Sequence, residues 1–126
     1  MKKQIIHTNA APAALGPYSQ AVRVGRTVYI SGQTPLDPST MELVSGGIDA
    51  QAQQVFENLS AIARAAESEL AHAVKLTIYL TDLDNFQSVN KVMLNYFEEP
   101  FPARVTVGVA SLPKAAAVEI DAILVV

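Results

Sequence analysis

The 126-residue chain predicts an α+β fold, a single mixed β-sheet with two helices packed on one of its faces. Three observations carry that prediction. Two stretches repeat apolar residues at helical spacing, and several shorter ones alternate apolar with polar at the period of a half-buried strand. The order in which they come, β-β-β-(β)-α-β-α-β-β, interleaves the helices with strands, so both can lie against one sheet.

Residues 1–126 make one domain on size alone. Half of the residues are apolar and 17% are charged, a composition that builds a packed core rather than a disordered chain. Nine basic against twelve acidic residues leave a net charge of −3. That balance argues against nucleic acid as a partner, because phosphate contacts need a basic face. With no cysteine there is no disulfide, no thiolate nucleophile and no cysteine metal site. Lys2 and Lys3 resemble the start of a signal peptide, but Gln4, His7, Thr8 and Asn9 interrupt the apolar stretch of about 7–15 residues that one requires. No run reaches membrane-spanning length. The expectation is a cytosolic protein.

Gln4 to His7 is a short strand candidate, followed by an alanine- and proline-rich loop to Gly16. Ala21–Val24 and Val28–Ser31 flank Gly25-Arg26 as a hairpin. Gly32 ends the second strand, where a missing side chain lets a ligand or a turn approach closely. Pro35 to Gly47 is a loop with a further short strand expected around Glu42 to Val44. Gly46-Gly47 sits in no phosphate-binding pattern.

Ile48 to Ala66 is the first helix. Ile48, Ala52, Val55, Leu59, Ile62 and Ala66 are spaced four, three, four, three and four, one continuous stripe. Ala73 to Leu80 is a strand with Val74, Leu76, Ile78 and Leu80 facing in and Lys75, Thr77 and Tyr79 facing out. Thr81 and Asp84 have the spacing of a capping box for a second helix. Its stripe is Phe86, Val89, Met93 and Phe97, and Asn90, a poor helix former, lies beside it. His7 and His72 are isolated and have neither metal-ligand nor triad spacing.

The last quarter reads as two strands around Ser111-Leu112-Pro113-Lys114. Val105, Val107 and Val109 alternate with Arg104, Thr106 and Gly108; Val118, Ile120, Ala122 and Leu124 alternate with Glu119, Asp121, Ile123 and Val125. Paired as an antiparallel hairpin with both apolar stripes in the core, the strands would bring Arg104, Thr106, Glu119 and Asp121 to one face. Two readings follow. One is a solvated ion pair on a sheet face. The other is a carboxylate-binding fork beside a general base. Ile123 and Val125 on that same face make an apolar patch of the kind that marks an interface.

Six blocks bear on the choice. One closing block, PFPAR with SLPK and VEIDAI, is preceded in order by five others: GPYSQAV at 16–22, VYISGQ at 28–33, GGIDAQAQQVFENL at 46–59, VKLTIYLTDLDNFQSVN at 74–90 and YF at 96–97. In content, order and total length the chain resembles the RidA/YjgF family of reactive enamine/imine deaminases. One departure is Glu67, which stands where helices of that family usually end on glycine.

The resemblance implies a chorismate-mutase-like homotrimer, sheets inward and helices outward, with three clefts between subunits. It implies hydrolytic deamination of 2-aminoacrylate, 2-iminobutanoate and related imino acids to 2-oxo acids and ammonia, with no cofactor and no metal. Arg104 is implied as the carboxylate anchor and Glu119 as the residue that works on water. Tyr18, Ser31, Gly32, Asn90, Val105 and Thr106 are implied around the substrate. The alternative from another class is a non-catalytic, small-carboxylate-binding or regulatory trimer on the same scaffold.

Overall fold

The computed structural model describes residues 1–126. Six strands form one sheet: β1 (Lys3–Ile6), β2 (Ala21–Val24), β3 (Thr27–Gln33), β4 (Ala73–Leu80), β5 (Ala103–Gly108) and β6 (Val118–Val125). The two helices are α1 (Ile48–Ala65) and α2 (Phe86–Met93). No helix is long and apolar enough to cross a membrane.

The strand order is β1-β2-β3-β6-β4-β5, with β4 and β5 parallel and every other pair antiparallel. α1 connects β3 to β4 and α2 connects β4 to β5. Helices used as crossovers between parallel strands are forced onto the sheet faces, which is why a mixed sheet arises here.

One face of the sheet carries the core. Leu76, Ile78 and Leu80 of β4, with Val118, Ile120 and Leu124 of β6, lie fully buried against Val55, Phe56, Leu59 and Ile62 of α1. Each such side chain contributes roughly 1.5–3 kcal/mol by leaving water. The stripe read on α1 is the buried one, with Ile48 at its end partly exposed. Past the helix, the Ser68 amide donates to the Ala63 carbonyl (2.9 Å) and the Glu67 amide to that of Arg64 (3.0 Å), the Schellman pattern. Glu67 sits at φ 59°, the left-handed conformation a glycine would adopt freely.

The opposite face is open. Ile5, Tyr29, Val105, Val107 and Val125 are all exposed there, beside Lys75, Thr77, Tyr79, Glu119, Asp121 and Ile123.

Four expectations fail. β5 and β6 are not a hairpin: β4 lies between them, and β5 runs parallel to β4 at the sheet edge. β6, whose Val118, Ile120, Ala122 and Leu124 are all buried, lies at the centre, with both of its edges paired. The register Leu76↔Arg104, Ile78↔Thr106 and Leu80↔Gly108 then turns Arg104 and Thr106 toward the helices and Val105 and Val107 to the open face. A period of two says that the faces of a strand differ, not which one meets the core. Val74 is exposed rather than inward, because the pairing with β6 slips between Ala73 and Lys75 and Ala73 takes the buried position. Glu42–Val44 supplies a single bridge, Leu36↔Leu43, not a strand. The turn before α2 is capped by Asp82, whose side chain accepts from the Asp84 amide (2.9 Å), not by Thr81.

Candidate active site

Glu119 projects from the centre of the sheet onto the open face, directly opposite Tyr79. Between Ile30↔Ala122 and Gln33↔Ile120 the pairing of β3 with β6 bulges, so Ser31 and Gly32 together face Asp121 alone. The bulge brings the Gly32 backbone beneath the Glu119 side chain, and any Cβ at Gly32 would collide with that carboxyl group. The close approach at this glycine is made by the Glu119 side chain, where the sequence reading predicts a ligand or a turn.

The Glu119 carboxylate is half-buried, and no group of its own chain donates to it. Burial first, and the neighbouring Asp121 carboxylate second, push its pKa above the ordinary glutamate value. The Tyr79 hydroxyl donates instead to Asp121 Oδ2 (3.0 Å), and burial together with that partner raises the tyrosine pKa as well. Glu119 is therefore a carboxylate poised to accept a proton and not committed to any neighbour.

A cleft of about 530 Å³ opens over Glu119, lined by Tyr18, Ser31 and Gly32. Four residues singled out from the sequence thus converge there. Ser31 Oγ donates to the Ser19 carbonyl (2.6 Å), which holds the Tyr18 loop against β3. Gln20, buried and overlooked by sequence reasoning, staples the same loop: its amide nitrogen donates to the Thr8 and Pro12 carbonyls at 3.0 and 2.8 Å. Its signal was a polar residue abutting a strand, which when buried must find partners. Lys114 and Met41 also line the cleft and were overlooked. Both lie in loops, where periodicity gives no guide.

Arg104 belongs to a second pocket of about 430 Å³, walled by Asn90, Met93, Leu94, Phe101 and Pro102. Its guanidinium lies 5.1 Å from the centre of the Phe86 ring. It donates to Asn90 Oδ1 and to the Met93 sulfur (3.8 Å). Asn90, unfavourable in mid-helix, is explained as the side chain that orients the arginine. The fork stays exposed at its outer edge, free to grip an anion in two-pronged fashion. Thr106 lies on the same side with its hydroxyl oxygen buried and without a partner, whereas Val105 faces the other way.

The expectation that Arg104 and Glu119 share a face is corrected here. Arg104 registers with Leu76 on the helix side, and Glu119 pairs with Tyr79 on the open side. Within one chain the Arg104 guanidinium and the Glu119 carboxylate form two separate candidate half-sites on opposite faces of the sheet.

The fold defines a small α+β protein with an unpartnered carboxylate on one face of its sheet and a supported, outward-reaching arginine on the other. Residues 8–126 match the family model described as Endoribonuclease L-PSP. The chain is 48% identical to the 2-iminobutanoate/2-iminopropanoate deaminase of Dermatophagoides farinae, over 98% of this chain and 97% of that one. It is 51% identical to protein DfrA of Myxococcus xanthus, over 99% and 97% respectively. The crystal structure of RidA from the Antarctic bacterium Psychrobacter sp. superposes with a TM-score of 0.94 at 54% identity, covering 98% of this chain and 99% of that one. The chain belongs to the RidA/YjgF family.

Proposed function

We propose that this protein is a cofactor-independent deaminase of 2-imino and 2-enamino acids, yielding 2-oxo acids and ammonia in the cytosol, with its active site shared between subunits. The observation that carries this reading is Glu119, a half-buried carboxylate with raised proton affinity, no partner in its own chain and a cleft above it. Relatives named for the reaction, at 46–49% identity over nearly the whole chain, support it.

The chemistry follows from the two half-sites. Arg104 holds the substrate carboxylate, with the β5 backbone at Val105 and Thr106 beside it. Glu119 takes a proton from water as the water oxygen bonds to the carbon of the protonated imine and the C=N electrons return to nitrogen, giving a neutral amino alcohol. Glu119 then passes the proton to that nitrogen. Ammonia leaves with the C–N electrons while the hydroxyl oxygen forms the carbonyl and gives its proton to Glu119, which hands it to the departing ammonia as ammonium. Tyr18 and Ser31 line the space where the water and the departing nitrogen must sit. The iminium carbon is already electrophilic, so positioning and proton transfer suffice.

Because one chain keeps Arg104 and Glu119 apart, a second copy is needed to bring them together. The exposed Ile5, Tyr29, Val105, Val107 and Val125 supply an apolar face for that copy. A homotrimer with its sheets inward satisfies both demands. The ribonuclease in the family description finds less support. The chain carries a net charge of −3, and His7 and His72 are engaged with Asn9 and Ser68, lining neither cleft.

Complementation tests the shared site. Arg104→Ala and Glu119→Gln homotrimers should each release little ammonia from dehydratase-generated 2-iminobutanoate. Refolded together in equal amounts, they should regain roughly a quarter of wild-type activity, because about one interface in four then pairs an intact arginine with an intact glutamate. No regain in properly mixed trimers would rule out a site built by two subunits.

A further inference from the structure

The wall of the Glu119 cleft that faces away from the sheet is made by two loops, and one side chain ties them together. The loop after β3 folds back on itself: Leu36 bridges Leu43, the Asp37 amide donates to the Glu42 carbonyl (2.9 Å), and Met41 lies at the tip. Its base is fastened to α1 by Asn58, which is 1% exposed and donates to the Thr34 and Leu36 carbonyls at 3.2 and 3.0 Å. The turn before β6 is fastened to the same helix by Gln51, whose side-chain oxygen accepts from the Ala117 amide (2.8 Å). Across the cleft mouth, Lys114 Nζ donates to the Met41 carbonyl (2.9 Å).

Both ends of this link are strained. Met41 (φ 60°), Lys114 (φ 56°) and Ala115 (φ 59°) are three of the four non-glycine residues with positive φ, and all three lie here. Such conformations persist only where the surroundings hold them, and they gather at ligand sites. The link also decides what the wall presents. With its ammonium turned to the Met41 carbonyl, Lys114 leaves Leu36 and Met41 as apolar lining of the same cleft that holds Ser31, Gly32 and Glu119.

We propose that the Lys114–Met41 strap is the side-chain gauge of the deaminase, with Met41 and Leu36 meeting the alkyl group of the imino acid and Lys114 acting as the positioning residue that sets their distance. The substrate class it selects is short, unbranched 2-imino acids. This rests on the deaminase reading of the Glu119 cleft. Fixed at both loop bases and strapped at the tip, the wall cannot retreat to admit a longer chain. Freed of the strap, the tip keeps only its own hairpin bonds and can swing outward.

The test is a substrate series, the straight-chain imino acids of three to six carbons produced by an L-amino acid oxidase, assayed with wild type, Lys114→Met and Lys114→Arg. Wild type should prefer the three- and four-carbon substrates. Lys114→Met should raise the kcat/KM ratio of the six-carbon to the four-carbon substrate about tenfold, the discrimination given by a misfitting methylene. Lys114→Arg, which retains a donor, should restore the wild-type ratio. Amide exchange at residues 37–42 should quicken in Lys114→Met alone. An equal loss on every substrate would make Lys114 a carboxylate anchor and overturn the proposal, as would an unchanged ratio in an active, folded variant. Wild type inactive on the whole series would instead refute the deaminase reading, and the exchange measurement would still report whether the strap holds the tip.

Discussion

Glu119 and Arg104 are both charged residues on strands, yet the protein prepares them in opposite ways. Glu119 is prepared by deprivation. A backbone bulge and a glycine make room for its carboxyl, burial raises its proton affinity, and Tyr79 spends its hydroxyl on Asp121. Arg104 is prepared by support. A ring lies against its guanidinium, an asparagine from α2 aims it and a thioether backs it. The contrast matches the roles proposed for them, a reactive group and an anchoring one. A base must be left wanting a proton, whereas an anion-binding fork must be held in one orientation before its ligand arrives.

Changing Glu119 should break this contrast most severely. Glu119→Gln keeps size and hydrogen bonding but removes the base, so turnover should fall by about 10²–10⁴-fold. Calorimetry should still detect binding of 2-oxobutanoate, because Arg104 is intact. Affinity and turnover lost in proportion would make Glu119 a support for binding instead. Next comes Gly32→Ala, which drives a methyl group into the Glu119 carboxyl. The methyl should turn the Glu119 carboxyl aside, so kcat should fall about tenfold or more, ~1.4 kcal/mol of transition-state stabilisation, while the Arg104 half-site is untouched.

Arg104→Lys tests the other side. The charge remains, but the planar fork and its stacking on Phe86 are lost. Activity should drop at least about tenfold, equivalent to ~1.4 kcal/mol of transition-state binding. Asn90→Ala should raise KM more than it lowers kcat, since it only frees the arginine to wander.

The pH dependence sharpens the comparison further. The folded-state pKa of Glu119 lies above its ordinary value of 4.5, so the native protein holds a proton that the unfolded chain releases. Its contribution to stability is therefore fully present below 4.5 and lost as pH rises through the raised folded value. Over the same window the Glu119 carboxylate forms, so on the proposed mechanism kcat/KM should climb while stability declines. Glu119→Gln should abolish both trends and be the more stable protein at neutral pH by chemical denaturation. The smallest effect belongs to a place remote from both half-sites. Glu67→Gly relieves the left-handed residue that ends α1, and the midpoint of thermal unfolding should rise by a few degrees, or about 1 kcal/mol, with activity unchanged.

Much was legible from residue order alone. The stripe on α1, the inward residues of β6 and the outward Lys75, Thr77 and Tyr79 follow from periodicity, because burial of one face is a local demand repeated along the element. Tyr18, Ser31, Gly32 and Glu119 came through family likeness and prove to line one cleft. What residue order could not decide was partnership. Two apolar strands joined by a short turn read as a hairpin, but α2 carries β5 to the edge beside β4, and β6 enters between β3 and β4. That one topological choice reverses which side of β5 meets the helices and sends Arg104 to the face opposite Glu119. Alternation is written in neighbouring residues and survives any pairing. The identity of the neighbouring strand depends on which arrangement buries the most apolar surface across the whole sheet, and only the tertiary structure settles that.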